Sequence, residues 1–221
     1  NPPAAGTAPS VPFSYTNQAT LSGTYTVGIG GNYTTLTAAV ADYNTKCLAG
    51  NVIFELTTTY YNTSTGEVFP IVINQNPTAG PTKTLTIRPA AGAEVLMVAS
   101  SGASASSLIK LNGADYVTID GNNTVDADQK FLIYNTATVA GHAGVWISSL
   151  GAGQGATNNT IKNCQINTGI SQNTSSVSSY GIVMSGTTLS GTHGSVSSGA
   201  DNDNNTFSGN FILRARYGIY S

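Results

Sequence analysis

Two Asx-rich segments carry oxygen ligands at the spacing of a calcium loop. The run Asp120-Gly121-Asn122-Asn123-Thr124-Val125-Asp126-Ala127-Asp128 offers side-chain oxygens at Asp120, Asn122, Asp126 and Asp128, and Ca2+ selects such hard oxygen donors. A shorter run, Asp201-Asn202-Asp203-Asn204-Asn205, offers Asp201 and Asp203. Both lack the sixth-position glycine of an EF-hand. The competing reading is a solvated turn whose Asx side chains cap their own backbone. The single tryptophan, Trp146, lies between Val145 and Ile147. If those two residues face a core, Trp146 faces out, where an indole can stack on a sugar ring. Alternatively, residues 149–158 or 186–203 fold over it. Glycoside hydrolysis needs carboxylates converging on one bond. Asp115 and Asp120 flank one short apolar run at opposite ends, so they do not converge. Arg214 and Arg216 share a face without a neighbouring carboxylate in evidence, and Lys110 is expected to point outward into solvent. His142 and His193 are isolated and are expected in glycine-rich loops, and there is no CxxC motif. Zinc is not indicated, which leaves Ca2+ as the one candidate cofactor and no residue assigned to catalysis.

The elements that position these residues must form with few charges. Charged residues are 8% of the 221-residue chain, with 8 Lys and Arg against 10 Asp and Glu. There is no basic surplus to bind nucleic acid through phosphate contacts. Helical bundles and coiled coils are equally disfavoured, because Leu, Glu, Lys and Arg are scarce. The 40% hydrophobic content and 11 Tyr argue for a buried core rather than disorder. No apolar run approaches the ~18 residues of a membrane span. Cys47 and Cys164 are expected to be small buried hydrophobes rather than a bridge. Six Asn-x-Ser/Thr sequons, at Asn32, Asn62, Asn122, Asn158, Asn173 and Asn204, are what an Asn- and Thr-rich chain contains by chance.

Residues 1–22 are aperiodic and rich in Pro, Ser and Thr, and read as a linker or extended lead-in. From Thr35 to about Lys46, Leu36, Ala39, Val40 and Tyr43 fall at helical spacing. Beyond this helix the chain consists mostly of short apolar runs of period two, bounded by Gly, Asn and Pro. Internal similarity orders them. Asn158-Asn159-Thr160-Ile161 and Asn204-Asn205-Thr206-Phe207 are each followed by a Tyr-Gly-Ile run, at Tyr180-Gly181-Ile182 and Tyr217-Gly218-Ile219, and Gly144-Val145 opens a similar run earlier. Gly144, Gly181 and Gly218 recur at a constant interval while the intervening loops vary in length. A solenoid tolerates such insertions because each coil touches only its neighbours.

The spacing predicts coils of three strands: 85–88, 95–98 and 108–111; 116–119, 131–134 and 145–147; 159–161, 164–166 and 182–184; then 207, 211–213 and 219–220. Like strands stack in parallel about 4.8 Å apart, with Asn and Gly at the corners. In this register Tyr220 occupies the place of Trp146 two coils on, with Val183 between them. Cys47 and Cys164 then lie several coils apart, beyond the ~7 Å Cα limit of a disulfide.

This pattern resembles the right-handed parallel β-helix of the pectin-lyase-like proteins over roughly residues 23–221. The start, Tyr25-Thr26-Val27-Gly28-Ile29-Gly30-Gly31-Asn32-Tyr33-Thr34-Thr35-Leu36, is similar to that of pectin-esterase-like β-helices, in which a strand, a Gly-rich turn and a short helix cap the first coil. The whole also resembles β-helix regions of large secreted surface proteins of Bacteroidota, a setting of type IX secretion. The resemblance implies an all-β fold, an extracellular or outer-surface location, and a structural or adhesin role with weak contact to glycans or surfaces through Trp146 and Tyr220. One alternative is the N-terminal part of a polysaccharide-active lyase or esterase with its catalytic residues on later coils, although none of the esterase motifs is present. Another is a trimeric phage or filament spike. The last run stops in mid-strand at Tyr220-Ser221, so the remainder of a longer polypeptide is the expected partner of that open edge.

Overall fold

In the computed structural model of the chain, residues 19–99, 106–123, 128–137, 141–169, 178–189 and 197–221 are described. They form a parallel β-helix. Strand β1 (Thr20–Val27) leads into helix α1 (Leu36–Thr45) and then into successive coils of three strands. The coils are β2 (Cys47–Leu56), β3 (Tyr60–Tyr61) and β4 (Ile71–Asn74); β5 (Leu85–Pro89), β6 (Val95–Val98) and β7 (Ser107–Asn112); β8 (Val117–Asp120), β9 (Phe131–Tyr134) and β10 (His142–Ser148); β11 (Thr160–Lys162), β12 (Cys164–Asn167) and β13 (Ser179–Ser185); and β14 (Thr206–Ser208), β15 (Phe211–Leu213) and β16 (Tyr217–Tyr220). Like strands stack in three parallel sheets: β1-β2-β5-β8-β11-β14, β3-β6-β9-β12-β15 and β4-β7-β10-β13-β16.

The four coils expected from the sequence are all present, strand for strand. The coil before them, with the two-residue strand β3, is too short to show a period. The core is built from aligned inward rows. Phe54, Ile87, Ile119, Ile161 and Phe207 stack in the first sheet. Tyr61, Met97, Ile133, Ile166 and Ile212 stack in the second. Ile71, Ile109, Val145, Ile182 and Ile219 stack in the third. Burying one such aliphatic side chain is worth about 1.5–3 kcal/mol, so stacking is the main stabilising term. In the last coil that burial falls away, and Ile219 is 50% exposed.

Corners carry the polar satisfaction. Asn159 is fully buried. Its Oδ1 accepts from the Val117 amide at 2.9 Å and its Nδ2 donates to the Ala114 carbonyl at 2.8 Å. One coil on, Asn205 repeats the pattern, accepting from the Asn159 amide at 2.9 Å and donating to the Ala156 carbonyl at 2.8 Å. Each amide side chain thereby satisfies backbone groups of the coil below it, where an unmade bond would leave a buried peptide group desolvated. The residues just before, Asn158 and Asn204, have φ of 57° and 56°, a left-handed backbone that Asn tolerates.

Helix α1 spans the predicted segment, with Leu36, Ala39, Val40 and Tyr43 buried and the Thr35 side chain accepting from the Ala38 amide. The remaining N-terminal amides are met from a distance. The buried Glu67 carboxylate accepts from the Leu36 amide at 2.7 Å, the Thr37 amide at 2.8 Å and the Thr37 hydroxyl at 2.6 Å, a negative group at the positive end of the helix dipole.

Candidate functional site

The outward face of the third sheet brings the candidate aromatic residues together. Its register aligns Val72, Lys110, Trp146, Val183 and Tyr220 in one row across five strands. Trp146 and Tyr220 are therefore two coils apart with Val183 between, as the repeat implied. A second row holds Ala143, Tyr180 and Tyr217. Together these form an apolar cluster outside the coil, with Ala143, Trp146, Tyr180 and Val183 at its centre and Leu189, Tyr217 and Tyr220 packed against it.

The cluster exists because of the Tyr-Gly-Ile motif. A side chain at Gly144 would place its Cβ 2.4 Å from Ile166 Cγ2, and one at Gly181 would place its Cβ 2.5 Å from Ile212 Cγ2 and from the Gly218 carbonyl. Only glycine passes that corner. The residue before it, Tyr180 or Tyr217, is on the outer face, while the residue after it, Ile182 or Ile219, joins the inward row. Adjacent coils then stack the two rings, with centroids 5.4 Å apart and planes 19° from parallel. Tyr220 meets both, at 5.5 Å from Tyr180 and 5.7 Å from Tyr217.

Trp146 faces outward as expected but is not open. It is 5% exposed, its indole N–H donates to Ser185 Oγ at 2.8 Å, and the Lys110 ammonium lies 4.1 Å from the ring centroid. An indole this covered offers no free face to a sugar. Lys110 corrects a second expectation: it points outward, but over the indole rather than into free solvent, and burial pulls its ammonium below the usual lysine range. Cation–π attraction opposes that loss of charge. In β16, Tyr217 and Tyr220 are half-buried and the Arg216 guanidinium sits 5.4 Å from the Tyr217 ring. Sequence reasoning missed Tyr180 and Tyr217 as members of the site, yet their position before each repeated glycine was the available signal.

Of the calcium candidates, Asp120 and Asp201 are engaged with protein donors. Asp120 Oδ1 accepts from the Asn122 amide at 3.0 Å and from Asn163 Nδ2 at 2.9 Å, and its Oδ2 lies 3.1 Å from the Lys162 ammonium. Lys162 is the residue in register with Asp120 one coil on. Asp128 is largely exposed and lies 3.8 Å from Lys130, while Asp126 lies outside the described residues. Asp201 Oδ2 accepts from the Gly153 amide at 2.5 Å. Asp203 contributes its backbone carbonyl to the Asn158 amide at 3.1 Å, and its side chain is exposed. Among the described residues no group of three His, Cys, Asp or Glu side chains gathers. The contacts of Asp120 and Asp201 are those of Asx-capped turns.

The other candidates also take structural places. Asp115 Oδ1 accepts from the Thr157 amide at 2.8 Å and hydroxyl at 2.7 Å, at the opposite end of β8 from Asp120. His142 is the first residue of β10 rather than a loop residue, fully buried, with Nε2 3.1 Å from the Thr168 carbonyl. Neither cysteine is in a disulfide. Cys164 points into the core, and burial pushes its thiol well above the usual range. His193 and Asn173 lie outside the described residues.

No curated protein and no solved structure matches the chain. Residues 22–221 match one family throughout, the span that contains every coil, the cap helix and the aromatic cluster. The chain thus belongs to the family described as "Protein of unknown function (DUF1565)".

Proposed function

We propose that this β-helix is an exported structural module of the cell surface, adhesin-like in type, that contacts glycans or surfaces through the Tyr217–Tyr220 end of its outer aromatic cluster. The observation that carries this reading is the Tyr180–Tyr217 stack with Tyr220 against it. It puts two phenol rings and a guanidinium on one sheet face. Such rings offer an apolar plane and a polar edge, which suits a sugar. Support for an extracellular setting comes from the charge-poor composition and from the resemblance to secreted surface proteins of Bacteroidota. The role is that of a scaffold: among the described residues, Asp115 and Asp120 cap turns, Lys162 joins adjacent coils and His142 is buried against a backbone carbonyl.

The test is a glycan array probed with the wild-type chain and with Tyr220→Ala. Loss of one stacking ring should weaken binding about five- to tenfold while the melting temperature stays near that of wild type. Binding that survives Tyr220→Ala and Tyr217→Ala unchanged, or no binding to any arrayed glycan, would overturn the reading.

A further inference from the structure

A second face of the molecule has the form of a ligand site. The outward row of the second sheet runs Tyr60, Leu96, Leu132, Gln165 and Phe211, one residue per coil. Leu96 and Leu132 are half-buried and form the floor of a trough of about 730 Å³, within the usual size of a small-molecule site. Thr59 joins this trough to a neighbouring one of about 460 Å³ in which Tyr60 stands. Tyr60 and Phe211, at the two ends of the row, are 55% and 52% exposed.

The rim is polar and close to neutral. Lys130 Nζ lies 3.0 Å from Glu94 Oε1 and 3.8 Å from Asp128 Oδ2. Gln165 Nε2 donates to the Gln129 carbonyl at 3.0 Å. Donors and acceptors both border the apolar floor, with one carboxylate in excess over the ammonium. That excess repels a polyanion. A hydroxyl-rich ligand with an apolar face meets both requirements.

Geometry along the axis narrows the choice. The row repeats at the coil spacing of about 4.8 Å, and a pyranose in an extended chain advances by a comparable length. We infer that this trough binds an extended, uncharged oligosaccharide lying along the helix axis, with one sugar ring per coil over Leu96 and Leu132 and a ring stacked on Tyr60. The site lies on a different sheet from the Tyr217–Tyr220 cluster and stands without it.

The experiment titrates the 221-residue chain with neutral β-1,4-linked glucan, xylan, mannan and chitin oligomers of two to six sugars, and with oligogalacturonate, by calorimetry. The expected result is that at least one neutral series binds, that affinity climbs with each sugar up to about four, close to the number of rungs in the row, and that oligogalacturonate binds at least about tenfold more weakly. Tyr60→Ala, at an exposed position, should weaken the neutral ligand about tenfold, and Leu132→Glu should abolish binding, with both variants keeping the wild-type circular dichroism. Tyr220→Ala should leave this binding unchanged, which separates failure here from failure of the aromatic-cluster reading. Absence of binding by every neutral series, equal binding of oligogalacturonate, or indifference to both trough variants would overturn the proposal. A concentration-dependent mass abolished by Leu132→Glu would put a second copy of the chain on this face and overturn it as well.

Discussion

At the scale of single residues, Asp42 shows how the cap is tied down. Its Oδ2 accepts from the Lys46 ammonium at 2.6 Å, one helical turn on, and from the Tyr33 hydroxyl at 2.7 Å. The Lys46 bond first, then Tyr33, hold the carboxyl below its ordinary 3.8 against the opposing effect of burial. The folded state therefore binds this proton less readily than the unfolded chain. The stabilisation is fully present above the unfolded value of 3.8 and is lost as pH falls through the lower folded value. Protection factors of the α1 amides, taken relative to the intrinsic exchange rate at each pH, should fall on acidification below pH 3.8, and Asp42→Asn should remove that part of the pH dependence. An identical acid response in Asp42→Asn would refute the assignment. Glu67, which meets three donors at the start of the same helix, was invisible to local pattern because it lies some thirty residues away in sequence.

Among the elements, the corner into the third sheet is the most constrained. Gly144 and Gly181 are held by the next coil, whereas a Cβ at Gly218, the third member of the motif, would meet nothing within 4 Å. In the isolated 221-residue chain, Gly144→Ala and Gly181→Ala should each destabilise by about 1–3 kcal/mol through overpacking, and Gly218→Ala, with no following coil to meet, should stay within about 0.5 kcal/mol of wild type. Denaturant melts of the three variants check this, and equal costs at all three positions would show that the clash with the following coil is not the cause. The same corner explains why the Tyr-Gly-Ile repeat was readable from the sequence before its purpose was. The repetition reflects a packing rule, while the ring stack it creates is a contact between coils.

At the scale of the 221 residues, burial is deepest in coils that have a neighbour on both sides. Each coil gains its burial from the coils on either side. In the last coil, Phe211 is 52% and Ile219 50% exposed, while Ile133 and Val145 in the third coil are fully buried. In the isolated 221-residue chain, where β14–β16 stack on one coil only, their amides should exchange well before those of β8–β10. Uniform protection through all coils would contradict a nearest-neighbour solenoid. The low charge has its explanation at this scale too. Side chains in one row sit a coil apart, and like charges there would repel. The charged pairs that cross coils alternate in sign, as in Arg88 over Glu55 at 2.7 Å and Lys162 over Asp120 at 3.1 Å.

Sequence alone determined the coil. Period-two runs, the Asn-Asn-Thr and Tyr-Gly-Ile repeats and the helical spacing of Leu36, Ala39, Val40 and Tyr43 specified the strands, their stacking order and the cap, because each is a local pattern repeated by neighbours. It also placed Trp146, Val183 and Tyr220 in one row, a consequence of register. Tertiary structure decided whether those side chains are open. Trp146 is covered by Lys110 and Ser185 from the adjacent coils, Asp120 is claimed by Lys162 and Asn163, and the trough over Leu96 and Leu132 forms only when distant strands align. Burial and charge pairing are properties of contacts between residues far apart in the chain, and a local pattern does not encode them.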